Sequence, residues 1–426
     1  MLIGDYFKRV DLKNKKHYFS GISFNSLNCK QNNIFFAIKG NNVNANTFIN
    51  QAIKNGAKTI ISDQKFEGLK KNILYIKSKN VRKSLSETAF NILKNKPKNL
   101  IAVTGTNGKS SIADFYYQIL KLNKKKAASI GTLGIKTSLY KKRVLNTTLD
   151  PIDLSHCLKN LKKEKINNVI LEASSHGLKQ NRLDGLKFNS AIFTNLSLDH
   201  LDYHKNLTDY LKSKLYLFEK LLGKNSNIIT DIEIPEYKKI KNIALKKKLK
   251  IETISNNKSS LKIVSHRYLH NTQLIEFKYK KKIYKFKTKL IGKIQIKNIL
   301  MSILAAHKSG LEFKKIIKVI HKIKSVEGRL EKVGKIKNQS KVILDYAHTP
   351  DALELALSNI NEQFPNKKIS LVFGCGGERD LKKRPIMGKI ADKYSDRIYL
   401  TDDNPRNENP SKIRKDIKKG IKKNKI

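Results

Sequence analysis

Leu100-Ile-Ala-Val-Thr-Gly-Thr-Asn-Gly-Lys-Ser-Ser111 joins an apolar run to a glycine-rich turn that closes on Gly108-Lys109-Ser110. A turn of this kind between a strand and a helix is a phosphate cradle. Backbone N–H groups and the helix N-terminus face the anion, Lys109 reaches the terminal phosphates, and the Ser110 hydroxyl can hold Mg²⁺. The stretch therefore predicts ATP or a close relative as ligand. Only Thr106 and Asn107 separate Gly105 from Gly108, a shorter spacer than the generic P-loop has, so the flanking sequence has to decide. Leu100 to Thr104 is strand-like, and between Ile112 and Leu122 the residues Phe115, Ile119 and Leu122 fall on one helical face. The plain alternative is a glycine turn without a ligand.

A chain of 426 residues with 39% hydrophobic content is long enough for roughly two to four domains with real cores. Cys29, Cys157 and Cys375 show neither metal-ligand nor disulfide spacing, which points to a reducing cytoplasm. The first residues lack a signal-type apolar core, and no later run is long enough to span a bilayer, so a cytoplasmic protein without a membrane partner is expected. The 88 Lys and Arg against 35 Asp and Glu give a formal net charge of +53, which would attract a phosphate backbone. The excess is mostly Lys, however, and is spread end to end in runs such as Lys124-Lys125-Lys126 and Lys246-Lys247-Lys248, as in an AT-rich coding sequence. No zinc-finger or aromatic RNA-binding motif accompanies it, so no nucleic acid is expected as partner. In so Lys-rich a chain the remaining arginines are informative, because only a guanidinium offers a planar fork. Arg182, Arg329, Arg379, Arg384 and Arg406 are candidates on that ground.

Apolar runs at Asn33–Ile38 and Thr59–Ser62, around a helix that includes Ala52 and ends near Gly56, predict a small α/β segment. A helix from about Asn80 to Asn95, followed by Pro97, predicts a boundary. The glycine-rich turn opens a larger α/β segment with strands at Asn168–Leu171 and Ser190–Phe193, a β-prone stretch from Ile251 to Ile291, and a helix carrying Asn298 to His307. From Gly328 onward, strands at Val342–Leu344, Ile369–Phe373 and Ile398–Leu400 alternate with helices, which predicts a small doubly wound parallel sheet of about three strands. Ligands bind such sheets at the carboxyl ends of strands, where Asp345, Gly374 to Asp380 and Asp402 to Arg406 fall.

Polar residues crowd two further strand ends, in Glu172-Ala-Ser-Ser-His-Gly-Leu-Lys-Gln-Asn-Arg182 and in Phe193-Thr-Asn-Leu-Ser-Leu-Asp-His-Leu-Asp-Tyr-His204. With Thr104–Ser110, Asn146-Thr-Thr148, Gly328-Arg-Leu-Glu331, Leu344-Asp-Tyr-Ala-His-Thr-Pro-Asp-Ala352, Gly374-Cys-Gly-Gly-Glu-Arg-Asp380 and Asp402-Asp-Asn-Pro-Arg406, these motifs run in order over nearly the whole chain. Together they resemble the Mur ligases, which add amino acids to the peptide of the cell-wall precursor at the expense of ATP.

The resemblance implies an α/β fold of three domains: residues 1–85 for the UDP-linked substrate, 86–326 as a central P-loop ATPase domain, and 327–426 as a Rossmann-like amino-acid domain. It implies an ADP-forming ligase, a monomer, with UDP-N-acetylmuramoyl-L-alanyl-D-glutamate and meso-diaminopimelate as partners. Thr104, Gly105, Thr106, Asn107, Gly108, Lys109 and Ser110, with Asn298, Arg329, Asp345 and His348, would bind ATP. Ser110, Glu172, His200 and Lys214 would hold Mg²⁺, Lys214 as a CO2-derived carbamate, and the imidazole also suits Mn²⁺. Lys109, Lys214, His200 and Glu172 would be catalytic.

Phe24 and Ser26, with the Asn41–Val43 turn, would meet the uridine end. Asn146, Thr147, Thr148, Ser174, Gln180 and Arg182 would hold the muramoyl-dipeptide, and Arg379, Asp403, Asn404, Pro405 and Arg406 the incoming amino acid. Arg406 would pair with the second carboxylate of diaminopimelate, which lysine lacks.

Three departures from the family pattern stand out. Asn25-Ser-Leu27 replaces a DSR segment, Gly292-Lys-Ile-Gln-Ile-Lys-Asn298 replaces GxFNxxN, and the sequence stops before a GKGHE segment, so the third domain is expected to be truncated. Two other readings remain open on sequence. Folylpolyglutamate synthases share the loop and the chemistry, without an expected DNPR or DHLDYH run. A truncated chain could also bind nucleotide or UDP-muramoyl-peptide without completing ligation.

Overall fold

The computed structural model describes residues 1–40, 44–200, 203–336, 338–378 and 380–425. The first segment is a five-stranded sheet of β1 (Gly21–Ser23), β2 (Asn33–Phe36), β3 (Ala57–Ser62), β4 (Gly68–Lys70) and β5 (Ile73–Lys77), in the order β1-β2-β3-β5-β4. Its central strands β2 and β3 are buried almost throughout, as their unbroken apolar runs require. Two helices belong to it, α1 (Ile49–Lys54) and α2 (Val81–Ile92). The second of these is shared. Val81 and Leu85 pack into the core of the first sheet, whereas Phe90 packs into the core of the next, and the Ser155 hydroxyl donates to the Ala89 carbonyl at 3.0 Å. The expected boundary at residue 85 falls inside this helix.

The central sheet runs in sequence through β6 (Asn99–Thr104), β7 (Ala127–Gly131), β8 (Gly134–Lys136), β9 (Lys141–Lys142), β10 (Asn168–Glu172), β11 (Phe188–Phe193), β12 (Leu222–Asp231), β13 (Lys250–Ser255), β14 (Leu261–Leu269), β15 (Thr272–Tyr279) and β16 (Lys282–Thr288). In space the order is β16-β15-β14-β13-β12-β11-β6-β10-β7-β8-β9. The middle of it is parallel, and β6 lies between β10 and β11, in register Ile101↔Ile170 and Ala102↔Ala191. After β6 the chain crosses to β7 on one side and later to β11 on the other, so the carboxyl end of β6 is a topological switch point, where ligands bind in such sheets.

Helices α3 (Lys109–Leu122), α4 (Pro151–Lys163), α5 (Ser175–Lys179), α6 (Leu207–Tyr216), α7 (Tyr237–Lys246), α8 (Lys293–Lys308) and α9 (Phe313–Ile320) surround this sheet. The sequence predicted one buried face for α3, but every residue from Ser110 to Tyr117, with Ile119 and Leu120, is buried. The helix is wedged between the sheet and α8, whose Ser302 hydroxyl donates to the Ile112 carbonyl at 3.1 Å. Among the described residues no helix is long and apolar enough to cross a membrane.

The last segment corrects an expectation. In place of one doubly wound parallel sheet there are two ribbons among the described residues. β17 (Glu331–Lys335) pairs antiparallel with β18 (Lys341–Leu344), and β19 (Ser370–Phe373) pairs parallel with β20 (Arg397–Leu400). β17 is a fourth strand, hidden in the sequence because Glu-Lys-Val-Gly-Lys is polar. It forms because the chain reverses tightly, with the Gln339 N–H donating to the Ile336 carbonyl at 2.8 Å. Helices α10 (Pro350–Gln363), α11 (Lys383–Tyr394) and α12 (Pro410–Lys418) pack against Leu371, Phe373 and Leu400, while Leu344, Val372 and Tyr399 on alternate positions remain exposed.

Arg384 is the largest fully buried side chain, and it is structural. Its guanidinium grips Glu408 at 2.9 and 3.0 Å and Asp416 at 3.2 Å, tying α11 to α12 and to the loop before it. The pKa of Glu408 is lowered by the Glu378 N–H and by Arg384, that of Asp416 by Lys419 and by Arg384. Arg384→Met leaves two carboxylates facing an apolar group, so the apparent Tm should fall by about 3 °C or more at pH 7. Both native pKa values lie below their unfolded values, so this stabilisation is present above about pH 4 and is lost as the pH falls further. The gap in melting midpoint between wild type and variant should therefore be present at pH 7 and shrink at pH 3.5, and equal midpoints at pH 7 would overturn the assignment.

Candidate active site

The turn between β6 and α3 needs its glycines. Gly105 and Gly108 have φ of +140° and +91°, and a Cβ would lie 1.8 Å from Thr194 Oγ1 at the first and 2.6 Å from Asn298 Oδ1 at the second. The loop after β11 clasps the turn from the side. Thr194 Oγ1 donates to the Asn107 carbonyl at 2.6 Å, Asn107 N–H donates to Asn195 Oδ1 at 2.9 Å, and Thr106 N–H donates to the Asn195 carbonyl at 2.9 Å. This clasp makes a short spacer sufficient. No side chain caps α3, so its first N–H groups are presented to a ligand.

Lys109 folds over the turn, and its Nζ donates to the Gly105 and Thr106 carbonyls at 2.9 and 2.8 Å. Burial holds its pKa below the ordinary lysine value against the pull of Glu172 and Asp199. Beside it Ser110 Oγ donates to Glu172 Oε2 at 3.0 Å, and the other Glu172 oxygen accepts the Thr132 N–H at 2.8 Å. A hydroxyl and a carboxylate in contact at the mouth of a phosphate cradle are hard oxygen donors, the set that suits Mg²⁺. The two therefore fit that ion. Among the described residues no group of three or more His, Cys, Asp or Glu side chains is disposed to hold a metal.

Lys214 is 1% exposed, on α6, and its Nζ donates to the Gly105 carbonyl at 2.8 Å, the same oxygen that Lys109 grips. The amine lies 4.2 Å from the centre of the Tyr210 ring, one helical turn earlier, and the Tyr210 hydroxyl is 3.2 Å from Thr106 Oγ1. Burial, reinforced by Lys109, pushes its pKa well below that of a free lysine. His200, with φ +54°, has Nε2 3.5 Å from Asp199 Oδ2, and its ring meets those of His176 and Tyr210 edge-on at 4.9 and 6.1 Å. Tyr210 is thus the shared neighbour of Lys214, His200 and the turn.

Two cavities adjoin this centre. A slot of about 70 Å³ is lined by Asn107, Gly108, Asn298, Arg329, Asp345 and His348 together, so six predicted ATP residues from four separate stretches converge. Arg329 lies over the Tyr346 ring at 5.0 Å, and Asp345, its pKa raised by burial, accepts the Leu330 N–H at 2.8 Å. The larger cavity, about 740 Å³, is lined by Phe24, Ser26, Asn146, Gln180 and Arg182 among others. Arg182 is fixed by donating to the Thr148 carbonyl at 2.7 Å and to Gln180 Oε1 at 2.8 and 3.1 Å. Thr148 and Ser174 are turned inward. The Thr148 hydroxyl donates to the Glu172 carbonyl at 2.8 Å, and Ser174 caps α5.

Asp403, Asn404, Pro405 and Arg406 line neither cavity. Their loop is stitched to Gly377, whose N–H donates to the Asn404 carbonyl at 2.9 Å and whose carbonyl accepts from Arg406. Arg379 and the Asn41–Val43 turn lie outside the described residues. Sequence reasoning missed Thr132, which supports Glu172, and Tyr210, whose only signal was its position four residues before Lys214. It also missed Gln51, Phe48 and Arg82 in the larger cavity.

Residues 103–306 match the Mur ligase middle domain and residues 328–426 the Mur ligase, glutamate ligase domain. Over 414 residues the chain is 41% identical to a protein of Rickettsia montanensis named UDP-N-acetylmuramoyl-L-alanyl-D-glutamate--2,6-diaminopimelate ligase, covering 96% of this chain and 85% of that one. The chain belongs to the Mur ligase family. A protein of the same name from Wigglesworthia glossinidia brevipalpis is 41% identical over 416 residues, with 95% and 83% covered. A solved structure of a ligase of that name superposes with a TM-score of 0.78 at 28% identity, covering 99% of this chain and 86% of the other. In this Mur ligase the glycine turn, the Glu172 strand end and the Asn298 helix all fall within the middle-domain match, whereas Arg329, Asp345 and His348 reach the slot from the second match.

Proposed function

We propose that this chain uses ATP to join meso-diaminopimelate to UDP-N-acetylmuramoyl-L-alanyl-D-glutamate, releasing ADP and phosphate, in peptidoglycan precursor synthesis in the cytoplasm. One observation carries the reading: a chain of contacts runs from Asn146, in the lining of the larger cavity, through its neighbour Thr147 to Glu172 and so to the phosphate cradle. From the cavity side, Thr147 Oγ1 lies 3.0 Å from Thr132 Oγ1, which with its own N–H contacts the Glu172 carboxylate, while Ser110 of the cradle donates to the same carboxylate. A substrate threaded through the cavity past Asn146 therefore ends beside the terminal phosphate. Residues 1–85, 86–326 and 327–426 are assigned to the UDP-linked substrate, to ATP and to the amino acid.

A carboxylate is too poor an electrophile for an amine, so it must first be activated. A carboxylate oxygen of the D-glutamate attacks the γ-phosphorus, ADP leaves, and an acyl phosphate results. The amine then adds to the acyl carbon, and the tetrahedral adduct collapses with loss of phosphate and a proton. Lys109 leaves the Gly105 and Thr106 carbonyls to meet the phosphates and offsets charge during transfer. Ser110 and Glu172 would hold Mg²⁺, which would supply further charge neutralisation on the phosphates. Lys214, with its amine driven toward the neutral form, is placed to react with CO2. Nitrogen bonds to carbon, a proton is released, and the side chain becomes an anion facing the turn. Asn298, Arg329, Asp345 and His348 hold the nucleotide in the slot.

The test is phosphate release by the purified chain with ATP, Mg²⁺ and UDP-N-acetylmuramoyl-L-alanyl-D-glutamate, comparing meso-diaminopimelate with L-lysine. Release that requires diaminopimelate is expected. ATP binding without amino-acid-dependent release would leave only a binding protein. Arg406→Ala should lower kcat/KM for diaminopimelate by about tenfold or more, the worth of a charge-assisted pair, and leave the trace rate with lysine unchanged. An unaltered preference in that variant would remove Arg406 from the amino-acid site.

A further inference from the structure

The larger cavity contains a second guanidinium, that of Arg82 near the start of α2, and this inference rests on the UDP-linked substrate proposed above. Phe24, Leu27, Phe35 and Phe48 give the first segment's wall an apolar, aromatic character, with Ser26 bonded to Gln51 at 2.7 Å as its polar insert. Such a wall suits a planar base with hydrogen-bonding edges. Arg182 and Asn146 come from the opposite, central segment, and Arg82 comes from the helix the two segments share.

The two arginines differ in freedom. Arg182 has its Nε and both terminal nitrogens committed to Gln180 and Thr148. Among the described residues Arg82 makes one hydrogen bond, a long one of 3.4 Å from Nη2 to the Lys39 carbonyl, which leaves Nε and Nη1 for a ligand. The guanidinium groups are close enough that Arg82 helps lower the pKa of Arg182. Asp150, a carboxylate on the same wall, offsets this in part. Its Oδ1 is spent accepting the Ile152 and Asp153 N–H groups at the start of α4, and burial raises its pKa to about 6. A concave site with two guanidinium groups, one of them with donors to spare, and a single carboxylate already engaged by backbone N–H groups suits a multiply charged anion.

We propose that Arg82 binds the diphosphate of the nucleotide-linked substrate, and so selects a nucleoside diphosphate over an uncharged nucleoside. Arg182 sets the position of the adjoining sugar and peptide, and Arg82 takes a phosphate oxygen with the donors it has free.

Binding of UDP and of uridine to the full chain, measured by calorimetry for wild type, Arg82→Met and Arg82→Lys, tests this. Arg82→Met should weaken UDP about tenfold or more while leaving uridine within about twofold, and Arg82→Lys should recover part of the loss. With UDP-N-acetylmuramoyl-L-alanyl-D-glutamate as substrate, KM should rise by a similar factor at unchanged kcat. Equal weakening of UDP and uridine would mean that Arg82 merely braces the Lys39 segment, and the proposal would fall. A wild type that prefers UDP alongside an Arg82→Met variant that keeps the preference would remove Arg82 alone. A wild type indifferent between UDP and uridine would remove both Arg82 and the reading of this cavity. Should the Met variant not fold, the Lys variant decides by the same ratio, since a shorter, single-point cation cannot keep the full preference.

Discussion

Lys109→Met is expected to lower amino-acid-dependent phosphate release by about 10³-fold, with the protein still folded. Phosphoryl transfer asks little of a protein except position and charge, so one cation aimed at the terminal phosphates carries a large share of the rate. In the structure that cation rests on the Gly105 and Thr106 carbonyls at 2.9 and 2.8 Å, contacts that phosphate oxygens would replace. Methionine keeps the length and the apolar stem but removes the charge. The Gly105 carbonyl keeps its bond from Lys214 Nζ and only the Thr106 carbonyl loses its side-chain partner, so thermal stability should change little. Single-turnover phosphate release at saturating ATP separates the chemical step from binding, and a variant rate within tenfold of wild type would exclude Lys109 from the transfer step.

The parts of this site that the sequence revealed are local ones. Gly105 to Ser110 is contiguous, and its glycines are demanded by contacts within reach of the turn; Glu172 and Thr194 follow apolar runs that could only be buried parallel strands. Other parts depend on tertiary placement. Lys214 is one lysine among dozens that the family resemblance alone singled out, and its burial against Gly105 and Tyr210 supplies the physical distinction. Thr132 matters because β7 lies beside β10, a pairing set by a crossover of many residues. The scarcity of arginine pointed equally at Arg182, which lines a cavity, and at Arg384, which ties two helices together, because a buried carboxylate cluster and a ligand anion make the same demand on a guanidinium. The strand β17 escaped because an exposed hairpin strand needs no apolar alternation.

Replacing Lys214 by methionine should separate stability from activity. Burial is the largest influence on this amine and Lys109 adds to it, so its native pKa lies well below the value of about 10.4 that it has in the unfolded chain. Between those two values the unfolded chain binds more protons than the native one, and native stability rises with pH through that window. At neutral pH the buried amine is therefore a destabilising element, only partly offset by the Gly105 carbonyl and the Tyr210 ring. Lys214→Met fills the same space without a charge, so its apparent Tm should exceed that of wild type by about 2 °C or more near pH 7. The gap should narrow as the pH rises toward 9. Phosphate release should fall by about 10²-fold or more, since no anion can then form on this side chain opposite the turn. In wild type, removal of dissolved CO2 should depress the rate and bicarbonate should restore it, while the variant responds to neither. A more stable variant that kept wild-type turnover would leave Lys214 as a tolerated buried lysine with no part in the reaction, and a wild type indifferent to CO2 would mean that it acts as an amine.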